Sequence, residues 1–441
     1  MTFRTRRLAI ALTLAAATSL SAPAFAKDVV IHAGRLIDGV SRQPRERMSI
    51  LIKGDRIVGV EQGFVDKPGA EVVDLSTSTV LPGLIDAHVH LLIELGKGSQ
   101  IVNAVTKNAF DHLLEGTVNA RKTLMAGFTS VRDVGGYTPA IVALKKAVTA
   151  GEIAGPRMWV AGSIISPTGG HADASTGFDD ALSKPEWTDG IADGPEEAIK
   201  SVRRHHREGT DLIKIVPSGG VASVGDDPQA QLMTDEEIKA VVDTAHTLHM
   251  KVAAHAHGTV AIEHAAKLGV DSIEHGSFAD ADGDKIMKAN GTWLVPTLTA
   301  GASVVDYAKL HPELLAPSVA AKALAVGPIM QANLSRAYKA GVKIAFGTDA
   351  GVFAHGTNAR EFELMVGAGM TPMDTIIAAT SSAATLIGDE ADIGSIQAGR
   401  YADIIAVAGD PLKDIAQLRS IAFVMKGGAV VKAGPATAGT R

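Results

Sequence analysis

From residue 29 onward, short apolar runs alternate with breaks rich in glycine and proline. Val29 to His32, Ser49 to Lys53, Arg56 to Val60 and Val72 to Leu75 read as β-strands. They are rich in β-branched residues, and Gly34, Gly39, Gly54-Asp55 and Pro68-Gly69 punctuate them. Ile50 to Val58 predicts a hairpin turning at Gly54-Asp55. The same texture returns in Asp403 to Val407, Ile421 to Lys426 and Ala429 to Lys432, so both ends of the chain are expected to build one small β-sandwich domain. Between these ends, apolar strands alternate with segments of helical period, the pattern of a parallel α/β domain. The predicted strands are Leu84 to His90, Phe128 to Asp133, Met158 to Gly162, Leu212 to Val216, Lys251 to Ala256, Ser272 to His275, Trp293 to Leu298 and Lys343 to Asp349. Helices are predicted over Ala104 to Met125, Pro139 to Ala150, Pro195 to Glu208, Thr234 to Leu248, Val260 to Leu268 and Val319 to Ala340. Eight strands alternating with helices predict a (β/α)8 TIM barrel, with a doubly wound open sheet as the alternative. The expected division is 27–82 and 389–441 for the β domain and 83–388 for the barrel.

Polar residues close most of the barrel strands. Val80 to Ile85 is apolar apart from the Pro82-Gly83 kink, and the run ends in His88 and His90, whose i, i+2 spacing turns both imidazoles to one side of an extended chain. Such a pair is half of a metal site, or else a pair of hydrogen-bonding caps. Later strands carry Lys214, His255, His275 and Asp349 at or near their ends. In a barrel those ends share one mouth, and a lone structural histidine does not explain so many ligand types there.

Composition narrows the chemistry. The 441 residues are 46% hydrophobic and 20% charged with a formal net charge of −6, and no basic block follows the N-terminus, so a nucleic-acid partner is not expected. There are no cysteines, which excludes disulfides and thiolates and leaves nitrogen and oxygen as metal ligands. Arg4, Arg6 and Arg7, the apolar run Leu8 to Leu20 and Ala24-Phe25-Ala26 read as a signal peptide of residues 1–26, cleaved after Ala26. The mature protein is then expected to be periplasmic or secreted, without stable membrane insertion. An uncleaved anchor is the alternative, and the export route and any homo-oligomer stay open.

The strand-end set His88-x-His90, Lys214, His255, His275 and Asp349 resembles the amidohydrolase superfamily, in the subset with two metals bridged by a carboxylated lysine. Gly34-Arg-Leu-Ile-Asp-Gly39, Leu81-Pro-Gly-Leu-Ile-Asp86 and Gly394-Ser-Ile-Gln-Ala-Gly399 resemble it too. Pro217 to Ser223, His255-Ala-His257 and Asn358-Ala-Arg-Glu-Phe-Glu-Leu-Met365 are similar to the branch of Xaa-Pro and related dipeptidases, imidazolonepropionase-like proteins and ochratoxinase.

The resemblance implies two divalent ions, zinc by preference: His88, His90 and Asp349 at one, His255 and His275 at the other, and Lys214 between. An ammonium cannot ligate a cation, so Lys214 fits only as an N6-carbamate formed with CO2; otherwise it is an ion-paired lysine. The implied reaction is hydrolysis of a small amide or dipeptide next to a carboxylate-bearing residue, including ochratoxin-type N-acyl amino acids, by a metal-bridging hydroxide with Asp349 moving the proton. Cyclic-amide hydrolysis, deamination, lactone hydrolysis and non-catalytic binding are the alternatives. His171, Ser218, His257 and Arg360 are substrate-side candidates, whereas His246, His249 and His264 fall on helical patterns and read as surface or packing residues.

Overall fold

The computed structural model describes residues 28–95, 102–103 and 106–434, so the expected signal peptide lies outside the described residues. The N-terminal strands are β1 (Val29–Leu36), β2 (Arg45–Lys53), β3 (Arg56–Gln62) and β4 (Glu71–Pro82). Next come β5 (Leu84–Val89), β6 (Phe128–Asp133), β7 (Arg157–Val160), β8 (Leu212–Ile215), β9 (Lys251–Ala256), β10 (Ser272–His275), β11 (Trp293–Val295) and β12 (Lys343–Ile344). The chain closes with β13 (Ile404–Val407), β14 (Phe423–Lys426) and β15 (Ala429–Ala433).

Both ends of the chain meet in one seven-stranded sheet of order β15-β14-β13-β4-β1-β2-β3. The described terminal strands thus form one continuous ladder where a two-layered sandwich was expected. β13 pairs antiparallel with β4, Ile405 opposite Leu81, so the C-terminal strands brace the strand that leads directly into β5. Ile31, Leu36, Ile50, Ile404 and Met425 are buried in this sheet's core. Two close approaches need glycine. A Cβ on Gly34 would lie 2.2 Å from Ser76 O, and one on Gly83, between β4 and β5, would lie 2.0 Å from Thr129 Oγ1.

The middle of the chain is α/β. β5, β6 and β7 form a parallel three-stranded ladder, and β8 to β12 form a parallel five-stranded ladder in sequential order. Every residue of β5, β6, β8 and β10 is buried, as parallel strands covered on both faces require. The ladders meet through isolated parallel bridges, Ile165 to Ile215 on one side and Val89 to Ala350 on the other. The segment expected as strand from Lys343 to Asp349 keeps ladder pairing only through Ile344.

The helices are α1 (Ala109–Met125), α2 (Thr138–Thr149), α3 (Pro195–Glu208), α4 (Asp235–Thr247), α5 (Thr259–Lys267), α6 (Ala281–Asn290), α7 (Leu298–Leu310), α8 (Pro317–Ala340) and α9 (Arg360–Gly367), followed by the shorter helices Pro372–Ile377 and Ala383–Ile387 before β13. Thr234 and Glu237 make the reciprocal capping box that starts α4. Two helices depart from expectation. Thr299 to Pro317 falls between the expected strand ending at Leu298 and the expected helix starting at Val319, yet most of it is α7, whose buried Leu298, Ala300, Ser303 and Val304 recur at helical spacing around the helix-weakening Gly301. α6, with Asp280 capping its N-terminus, is too polar to stand out by periodicity. No described helix is long and apolar enough to cross a membrane.

Candidate metal centre

The two strand-end histidines of β5 keep the alternation of an extended chain, and both imidazoles reach Asp349, which follows β12. His88 Nε2 lies 3.5 Å and His90 Nε2 3.3 Å from Asp349 Oδ1. The ligand atoms of His88, His90 and Asp349 lie within 4.8 Å of one another, and so do those of His255, His257 and His275. The two groups are neighbours, with the His88 and His275 ring centroids 5.1 Å apart. Both, together with Lys214 and His171, line a cavity of ≈ 430 Å³. Its outer wall is apolar and comes largely from α7 and α8, including Val304, Val326 and Met330.

Four of the five rings in these two groups are held from behind. The His88 Nδ1–H donates to Glu274 Oε2 at 2.7 Å, and the His90 Nδ1–H donates to the Gly135 carbonyl at 2.9 Å. His275 Nδ1 is 2.7 Å from Thr297 Oγ1, whose own proton goes to the Pro296 carbonyl, so the ring must be the donor. His257 Nδ1 sits 2.7 Å from Ser277 Oγ. Such anchoring fixes the tautomer and leaves the Nε2 lone pair pointing at the cavity. His255 Nε2 is buried and has no hydrogen-bond partner among the described residues. A buried, unpartnered imidazole nitrogen among pre-oriented donors fits a divalent ion, and the nitrogen and oxygen donor set suits zinc.

Electrostatics agree with that fit. Burial pushes His257 down to about 3 and holds His255 and His275 well below the ordinary imidazole range, so these three are neutral and able to donate lone pairs. Burial opposes ionisation of Asp349 as well, yet His88 and His90 outweigh it and hold the carboxyl well below its usual range. Lys214 is lowered to about 8 by burial, bringing the free amine within reach near neutral pH.

The substrate-side candidates separate. His171 comes to the cavity and stacks on His255 with centroids 4.3 Å apart. Its Nδ1 meets Ser223 Oγ at 2.7 Å, and that hydroxyl donates to Asp226 Oδ1, so His171 presents Nε2 as an acceptor. Lys322 of α8 ties this loop down by donating to the Gly220, Ser223 and Asp226 carbonyls. His257 joins His255 and His275 rather than standing behind them. Ser218 is buried, receives the His257 backbone N–H at 2.9 Å and is not part of the cavity lining. Arg360 does not reach the cavity either: its guanidinium pairs at 3.0 Å with Asp306, in half-exposed surroundings. His246 and His264 pair with Asp271 and Asp235 away from the site.

Sequence reasoning missed the residues that orient the ligands. Glu274 accepts from His88 and from Arg132 Nη2 at 2.7 Å, and the Arg132 Nε–H donates to the Ala87 carbonyl at 2.6 Å; Glu274 and Arg132 are both buried. Their signal was a charged residue inside a short β-type run, as in Phe-Thr-Ser-Val-Arg132 and Ser-Ile-Glu274. Asp86, in Leu-Ile-Asp86-Ala, carries the same signal, whereas Thr297 carries none.

Known proteins resemble the chain over nearly its whole described length. The amidohydrolase family model matches residues 79–431. Ochratoxinase of Aspergillus niger is 33% identical, with 92% of this chain and 87% of that protein covered. A crystal structure of a Xaa-Pro dipeptidase with methionine bound in its active site is 41% identical with a TM-score of 0.89, covering 92% of this chain and 100% of that one. Imidazolonepropionase of Fusobacterium nucleatum is 26% identical over 80% of this chain and 83% of that protein.

Proposed function

This chain belongs to the amidohydrolase family and is a hydrolase acting on C–N bonds; on that premise we propose that it uses two divalent ions to cleave the amide of a dipeptide or N-acyl amino acid. One observation carries the proposal: two groups of ligand-type side chains face one cavity, with their ring nitrogens pre-oriented from behind. In this reading His88, His90 and Asp349 hold one ion, His255 and His275 hold the other with His257 beside them, and Lys214, as a carbamate, lies between.

Bound there, such ions supply a polarised carbonyl and a water acidic enough to attack near neutral pH. The side chains do the rest. Asp349 accepts the proton of the attacking water on its carboxylate and passes it to the departing nitrogen. His171 Nε2, an acceptor, suits an N–H of the substrate. The wall of α7 and α8 excludes water from the side opposite the ligands, which strengthens each charge interaction inside. A cavity of ≈ 430 Å³ accommodates a molecule of dipeptide size. The Xaa-Pro dipeptidase and ochratoxinase likenesses support a substrate with a carboxylate-bearing residue beside the scissile bond, and the imidazolonepropionase likeness favours cyclic-amide hydrolysis as the second reading.

The seam bridges support reading the two parallel ladders as one closed (β/α)8 barrel spanning 83–388, with 27–82 and 389–441 as the companion β domain. An exported mature protein starting after residue 26 completes the proposal. Turnover of a dipeptide and N-acyl amino-acid library by zinc-loaded protein, with metal content measured in parallel, is the test. Activity on at least one amide with about two ions per chain is expected; full activity with one ion removes Lys214 from its bridging role.

A further inference from the structure

The segment Asn358 to Glu361 lies at the start of α9, outside the cavity lining, and both of its end residues are fully buried. Each end is tied to a different ligand group. The Asn358 Nδ2–H donates to Asp86 Oδ2 at 2.8 Å. The other oxygen of Asp86 receives the backbone N–H of His88 and of Thr348, each at 3.1 Å, and Oδ2 also receives the Thr348 hydroxyl at 2.6 Å. Asp86 therefore joins the backbone of His88 to the residue before Asp349, and Asn358 fixes Asp86.

Glu361 acts on the other group. Its Oε1 accepts the Leu298 N–H at 2.8 Å, and its Oε2 accepts the Thr299 N–H at 2.6 Å and the Thr299 hydroxyl at 2.7 Å. These are the first two amides of α7, which lack intrahelical acceptors and of which an N-cap side chain would ordinarily take the second. That residue, Thr297, makes no capping bond, because its hydroxyl holds His275 instead. Thr297 also sits at φ 48°, a left-handed conformation unfavourable for a β-branched residue. A carboxylate from more than sixty positions further along the chain replaces the cap and frees Thr297 to serve the histidine.

We propose that Asn358 and Glu361 form one brace that positions both ligand groups, Asn358 through Asp86 and Glu361 through Thr297. Two residues of one turn thereby set the two groups relative to each other. The brace goes beyond the hydrolase reading, and only its metal readout rests on that reading.

The test uses full-length E361Q, T297V, T297S and N358A proteins. Side-chain ¹⁵N spectra of the metal-free protein report the His275 tautomer, chelator competition reports zinc affinity, and thermal melting reports the fold. Wild type should show one tautomer, protonated on Nδ1. T297V and E361Q should mix the tautomers and weaken one zinc equivalent by about 10- to 100-fold, whereas T297S should restore both. N358A should leave the His275 tautomer unchanged and weaken the other equivalent. If E361Q keeps the wild-type tautomer and both affinities while melting earlier, Glu361 is a helix cap only and the brace is refuted. Should wild type bind no zinc, the metal reading fails by itself, and the tautomer spectra still decide the brace.

Discussion

Replacing Glu274 with glutamine is the sharpest perturbation of the centre, because it removes a charge and keeps the shape. The buried Glu274 carboxylate stands between Arg132 and His88. Burial opposes its charge, but those two partners outweigh burial and hold it far below the usual carboxylate range. Two losses are expected in E274Q. The Arg132 guanidinium, 2% exposed, keeps only neutral acceptors, and breaking a buried pair from one side costs about 3–5 kcal/mol. His88 loses its charged acceptor, and an amide N–H facing Nδ1 drives the proton to Nε2, where it blocks the lone pair. Losing the partner that orients a ligating ring weakens metal binding about 10- to 100-fold, or roughly 1.4–2.7 kcal/mol. Urea unfolding of the metal-free protein measures the first loss and zinc–chelator competition the second. The double variant E274Q/R132M separates them, because two neutral side chains of similar volume no longer strand a buried charge. Stability should largely return while zinc affinity stays low. Wild-type zinc affinity in E274Q would refute the orienting role, and a double variant no more stable than E274Q would refute the buried-pair account.

Other expectations follow from single contacts. R360A should change kcat/KM by less than about twofold, because the guanidinium faces Asp306 at the surface, where an ion pair is worth roughly 0–1 kcal/mol; a larger loss on carboxylate-bearing substrates would return Arg360 to the site. K214A should lose metal and activity together and recover both partly with short carboxylic acids, which stand in for the carbamate; unchanged turnover would remove carboxylation from the mechanism. Burial pushes Glu361 up to about 7, against the hydrogen bonds from Thr299 and Leu298. The unfolded chain releases that proton near pH 4.3, so between these values the native state binds the extra proton and stability falls as pH rises, by roughly 3–4 kcal/mol in total. E361Q should lose this slope between pH 4.5 and 8 in urea midpoints; parallel wild-type and E361Q profiles would contradict it.

Much of the centre is legible because strands impose a period of two. His88 and His90 share a face for that reason, and apolar runs closing in His255, His275 and Asp349 mark where the parallel strands end. The companion sheet is legible from its hairpins, though which strand pairs with which is not: β13 finds β4 across more than three hundred residues, a choice made by tertiary packing. α7 escaped because Gly301 and its β-branched residues lower helix propensity, while its start is fixed by Glu361 from a distant segment. Arg360 stands apart from the cavity for a related reason. Its neighbours Asn358 and Glu361 turn inward, and the arginine between them takes the opposite face of the turn.

The backbone at the ligands explains what no periodicity can reveal. Ser272 Oγ donates to Glu274, so these two residues share the inner face of β10, and alternation would send His275 to the other side. His275 nonetheless reaches the cavity, because its φ of 70° breaks the alternation at the last strand residue. Asp349 does the same at φ 61°, so that Thr348 meets Asp86 while the next residue meets His88 and His90. Left-handed backbone at a non-glycine residue costs of order 1–3 kcal/mol. At both positions two consecutive side chains are brought to bear on one centre, the first orienting a neighbour and the second facing the cavity. Glycine would relieve the backbone there and remove the side chain that faces the cavity, so the strain is the consequence of placing an orienting residue and a cavity-facing residue side by side in the chain.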